Sequence, residues 1–158
     1  MKHPALAALL SLSSLAAQGN LPLELGGSCP TSAFAVGPQM HFTEGLGRFP
    51  RAGVQNPAVV FGCVPYTTVF VGFGVDTSLR GWSLPLDLDL HFGTVGGCIL
   101  YCSFDITLTV TADGRGNAVY SFPIPPAAAG FQFHTQAVVM DDQSLPGFVT
   151  SNDFVIVL

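Results

Sequence analysis

The chain has 158 residues, only 9% of them charged, and its ten carboxylates stand against five lysines and arginines. Typical domains carry about 25% charge, and a phosphate backbone needs clustered cations, so neither nucleic acid nor an anionic membrane surface is expected as a partner. The length suits one domain around a single core, and 49% hydrophobic content describes a folded body with a weakly charged surface rather than a disordered chain.

The N-terminus, MKHPALAALLSLSSLAAQGN, opens on Lys2 and His3, continues through an apolar stretch and ends in small residues. That layout predicts a secretory signal peptide over residues 1–19, with one domain over 20–158. The apolar part is shorter than the ~20 residues a membrane helix needs. No membrane insertion is expected after cleavage. Lys2, the only lysine, would leave with the signal, and the arginines that remain are Arg48, Arg51, Arg80 and Arg115.

Downstream, the two-residue period of strands dominates. Residues 58–64 and 67–75 are β-rich runs parted by Pro65. Trp82 follows Gly81 and precedes residues 83–90, where Leu84, Leu86, Leu88 and Leu90 alternate with polar positions. As a strand, this run puts Asp87, Asp89 and His91 on one face. Two carboxylates and an imidazole suit a divalent cation or acid–base work, although the same positions are also the expected solvated face. Residues 98–103 continue the series. Ile106, Leu108 and Val110 then alternate with Thr107, Thr109 and Thr111, and the turn signal Ala112-Asp113-Gly114-Arg115-Gly116 predicts a hairpin to Ala118, Tyr120 and Phe122. After a Pro-rich loop at 124–130, Phe131, Phe133, Thr135, Ala137 and Val139 mark a long half-buried strand. Residues 148–151 and 154–158 close the chain, with a break or bulge at 151–153.

About eight short strands between Gly- and Pro-rich turns, with almost no helix, predict an all-β fold: an antiparallel β-sandwich, Ig-like or jelly-roll-like. Asp141, Asp142 and Asp153 are expected in C-terminal loops, where hard oxygen ligands would suit calcium, although their spacing matches no calcium loop. Trp82, with Tyr66, Tyr101 and Tyr120, could build a sugar-stacking platform. No nucleophile elbow, zinc-protease helix, phosphate loop or dinucleotide fingerprint is present.

Four cysteines follow the leader: Cys29, Cys63, Cys98 and Cys102. An even count in an oxidising compartment predicts disulfides. Cys98 and Cys102 on one strand would lie about 13 Å apart, beyond the ~7 Å limit for bridged Cα atoms. Each therefore needs a different partner, and spacing leaves both remaining pairings open. Zinc is disfavoured because Ile99-Leu100-Tyr101 contains no turn former.

Gly27-Ser28-Cys29-Pro30, Leu84-Pro85-Leu86-Asp87-Leu88, Gly97-Cys98-Ile99-Leu100-Tyr101, Phe122-Pro123-Ile124-Pro125, Gln136-Ala137-Val138-Val139-Met140-Asp141 and Thr150-Ser151-Asn152 occur in that order. Over residues 27–158 this resembles a β-rich domain, without an assigned activity, that recurs in secreted proteins of planctomycete-type bacteria. The resemblance implies location and fold class rather than chemistry. It also implies pairing Cys29 with Cys98, which leaves Cys63 with Cys102.

The expectation is a secreted or cell-surface module without catalytic activity or cofactor. It would bind an extracellular protein or polysaccharide, or self-associate. The alternative is a glycan- or calcium-binding module using the Asp87/Asp89/His91 face, the late aspartates and Trp82. A third reading is a hydrolase whose site is dispersed over loops.

Overall fold

The computed structural model describes residues 23–34, 36–42, 50–94, 96–144 and 146–158. The expected signal peptide lies outside the described residues. Strands β1 (Leu23–Leu25), β2 (Gln39–Phe42), β3 (Gln55–Phe61), β4 (Thr68–Gly74), β9 (Ile106–Thr111), β10 (Ala118–Pro123), β11 (Gln132–Met140) and β12 (Phe148–Val157) form two antiparallel sheets. One sheet has the order β1-β12-β11-β4-β9, and the other has the order β10-β3-β2. The short strands β5 (Ser78–Leu79), β6 (Trp82–Ser83), β7 (Leu86–Asp87) and β8 (Ile99–Leu100), with helix α1 (Leu88–Phe92), form an excursion between β4 and β9. The expected all-β sandwich is therefore the observed fold.

Alternation decides which faces meet. In β4, Val69 and Val71 are buried with Phe73 beside them, and in β10 Ala118, Tyr120 and Phe122 point inward while Val119 and Ser121 stay exposed. Phe73 packs on Phe122 at 4.7 Å between ring centroids, and Phe42 on Phe154 at 5.3 Å, so the two sheets share one core.

Two expectations about connectivity fail. The turn at 112–116 forms, with Asp113 Oδ1 accepting from the Arg115 and Asn117 amides, but no hairpin results. β9 pairs with β4 and β10 pairs with β3. The connection crosses the ~10 Å between stacked sheets, because Ala118, Tyr120 and Phe122 bury against the opposite layer. The run at 83–90 is not one strand either: Ser83 ends β6, Leu86 and Asp87 form the two-residue β7, and α1 begins at Leu88. At the C-terminus the break proves to be a bulge inside one ten-residue strand. Gln136 faces Asp153 and Val138 faces Thr150, so Ala137 opposes both Ser151 and Asn152. The Ser151 hydroxyl fills the gap by accepting from the Ala137 amide at 2.9 Å.

The outer face of the five-stranded sheet is covered by the excursion. Gly72 and Gly74 on β4 make the close approach possible, since a Cβ at either would collide with Phe104 or Ser103. Gln136, 0% exposed, ties the layers: its Oε1 accepts from the Tyr101 amide at 2.9 Å, and its Nε2 donates to the Ile99 and Ser151 carbonyls at 2.8 and 2.9 Å. The excursion is thus a third layer held by a buried side-chain staple.

Candidate binding groove

Between the third layer and the sheet lies an open groove of about 520 Å³, within the range typical of ligand sites. Phe70 of β4, Val138 and Met140 of β11, Phe148 of β12 and Thr107 of β9 form the sheet side. Leu79, Trp82, Leu86, Leu88, Phe92, Leu100 and Phe104 form the other wall, and among the described residues Arg80 is the only charged one that lines it. The β5–β6 turn explains the placement of Arg80. Arg80 and Gly81 both have positive φ, 48° and 90°, the signature of a two-residue hairpin turn whose twist matches its strands. That turn sets Trp82 opposite Leu79.

Asp87, Asp89 and His91 do not share a strand face. Asp87 is the N-cap of α1, its Oδ1 accepting from the Leu90 amide at 3.1 Å. Asp89 accepts from the Thr94 hydroxyl and from the Gly97 and Cys98 amides. The Thr94 hydrogen bond, with those amides, holds its carboxyl below the ordinary aspartate value. His91 sits in the last turn, edge-on to Trp82 at 4.7 Å. Gly93, left-handed at φ 71°, ends the helix. The alternating leucines were compatible with a strand, but an Asp six residues before a Gly, with a second Asp in the first turn, is also a short capped helix.

The late aspartates are likewise dispersed. Asp141 is buried in a turn and holds the Ser32 amide and hydroxyl, each at 2.6 Å. Asp142 is exposed in the same turn. Asp153 is not in a loop: it is buried within β12, and Oδ2 lies 2.8 Å from Nδ1 of His134. Among the described residues, no group of three His, Cys, Asp or Glu is placed to hold a metal ion. Nor do the tyrosines join Trp82 in a platform: Tyr66 is exposed at a turn, Tyr120 lies in the core, and Tyr101 packs over Gly26. Trp82 instead neighbours His91 and Phe92.

Cys29 and Cys98 form a disulfide with Cα atoms 5.1 Å apart, whereas Cys63 and Cys102 are free and buried. The expected second bond is thus absent. Cys63 follows β3, with its amide bonded to the Gly116 carbonyl. Cys102 Sγ lies 3.7 Å from the His134 carbonyl, and His134 pairs with Gly74 at the far end of β4. The seven residues of β4 separate the two thiols, roughly 20 Å at strand rise. Burial pushes both thiols up to about 12, the reverse of an activated nucleophile.

His134–Asp153 has the acid–imidazole half of a catalytic triad. Among the described residues, His134 makes no other side-chain hydrogen bond, and Cys102 meets only its backbone carbonyl. The hydrogen bond to Asp153 raises the His134 pKa, and burial raises that of Asp153, whose Oδ1 has no partner. The His134 shift is upward, so the stabilisation it contributes is complete below the ordinary histidine value and is lost as pH rises through the raised folded value. We expect the melting temperature to fall as pH rises above about 6.5, the ordinary histidine value. In Asp153→Asn the slope in this range should flatten; thermal scans across pH check it, and an unchanged slope would contradict the assignment.

Sequence reasoning passed over Gln136, Asn56 and Asn152, the buried amides that organise the loops. Asn56 Oδ1 accepts from the Arg51 amide at 2.7 Å, and Asn152 Oδ1 accepts from that of Met40 at 2.7 Å. An amide at an inward position is the only available signal, and it does not name the partner. No family model, curated protein or solved structure matches this chain.

Proposed function

We propose that this is a secreted, non-catalytic interaction module that binds an extracellular protein through the apolar groove. The groove itself carries the reading: its walls are almost wholly aliphatic and aromatic, with Arg80 the single charge among the described residues. The disulfide is consistent with an oxidising compartment, and the resemblance to planctomycete-type secreted domains belongs to the same reading. A polysaccharide fits less well, because sugar hydroxyls need hydrogen-bond partners that this lining does not offer. Calcium fits less well too, since Asp87, Asp89 and Asp141 already accept from backbone amides.

The test is to pan a random-peptide library against the oxidised protein and re-measure the selected binders on Val138→Trp. Val138 is half-buried and lines the groove, so an indole there occupies the open volume without entering the core. Binding should weaken about a hundredfold, the loss of roughly 3 kcal/mol of apolar contact, with melting within a few degrees of wild type. Equal binding to both proteins would remove the groove from consideration.

A further inference from the structure

We infer that the partner docks as an added β-strand along β9, sending alternate apolar side chains into the groove. This rests on the groove being the binding face and adds how the partner is held.

β9 ends the five-stranded sheet and pairs only with β4 among the described residues. The register fixes which of its backbone groups are spent. Thr68 faces Thr111, and the Ala112 amide donates to the Thr67 carbonyl at 3.0 Å. In an antiparallel ladder each hydrogen-bonded residue turns both N–H and C=O to its neighbour, and such residues alternate with ones that turn both away. Ala112, Val110, Leu108 and Ile106 therefore bond to β4. Thr107, Thr109 and Thr111 present their N–H and C=O groups outward, and all three are exposed. The edge Ile-Thr-Leu-Thr-Val-Thr carries no charge, proline or bulge, the devices that ordinarily blunt a free edge.

The other edges lack this combination. β1 has three residues. At β2, the Asn152 carboxamide bonds both the N–H and the C=O of Met40. β10 ends in Pro123, and none of its residues lines the groove. β9 does reach the groove, through the side chain of Thr107. A strand laid against β9 continues the outer face of the sheet, so every second side chain falls beside Thr107 and Thr109 at the groove mouth. This is strand addition, in which main-chain bonds supply affinity and pockets read alternate residues. Arg80 forms no ion pair among the described residues, and it assigns a carboxylate to one end of the segment. The ligand is thus an extended peptide with large apolar residues at alternate positions and an acidic end.

The probe is a short fluorescent peptide alternating leucine with threonine and ending in aspartate, titrated into the oxidised protein. Two N-methylated versions block alternate peptide N–H groups, one set on each edge. One set should weaken binding at least about tenfold and the other should be tolerated. Thr109→Pro, which removes one outward N–H, should act as the harmful set does, and Arg80→Gln should weaken only the aspartate-ended peptide. If Val138→Trp abolishes binding while both methylated sets bind normally, the groove stands and strand addition falls. If the peptide does not bind, strand addition falls and the groove stands or falls on the library result; if it binds but neither Val138→Trp nor methylation matters, both readings fall. Dimerisation without peptide binding, removed by Thr109→Pro, would give the edge to a second copy and overturn the peptide proposal.

Discussion

Reduction of the Cys29–Cys98 bond is expected to lower the melting temperature by on the order of 10 °C. The bond closes a loop with a sequence separation of 69, for which chain-entropy reasoning gives about 4 kcal/mol. It joins the segment after β1 to the start of β8, and the Cys29 amide also donates to the Thr150 carbonyl. Cys98 is positioned independently by Asp89, which accepts from its amide. Scanning calorimetry with and without reductant, repeated on Cys29→Ala/Cys98→Ala, measures the effect. Cys63→Ala should leave the reductant sensitivity intact, because that thiol is unpaired. A reductant effect below about 1 kcal/mol, or one that depends on Cys63, would contradict the pairing.

Gln136→Leu should cost about 3 kcal/mol, more than its conserved size suggests. Leucine fills the space but leaves the Tyr101 amide and the Ser151 carbonyl buried without partners, at about 1–3 kcal/mol each. Ile99 O retains the Thr150 hydroxyl at 3.4 Å. The loss falls on the contact between the third layer and β11, so early proteolytic cuts should appear within residues 75–105. Denaturant melts with timed proteolysis check both parts. Unchanged stability would mean that the staple does not hold the layers.

The strands were readable where one face was wet and the other dry. β10 alternates perfectly because only one of its faces meets the core. β12 is buried at eight consecutive positions, from Val149 to Ile156, since sheet neighbours and both layers enclose it, and there the period vanishes. β1 and β2 are too short to show a period and exist through pairing with β12 and β3. The failed hairpin was a failure of partner choice, not of turn chemistry, because a turn signal does not say which sheet the next strand joins. The groove was hidden for a similar reason. Trp82 stands out in the sequence, but Phe70, Val138, Met140 and Phe148 look like ordinary strand residues until the excursion folds over them. Leu84 to Leu90 misled because a capped helix of five residues is too short to display its own period.

We propose the outer-face groove beside β9 as the place where a partner binds. The most direct test is an NMR titration of the oxidised protein with the alternating leucine–threonine peptide. Shifts are expected at Val138, Met140, Phe148 and Trp82, with slowed amide exchange at Thr107, Thr109 and Thr111. Shifts confined to β2, β3 and β10 would contradict it.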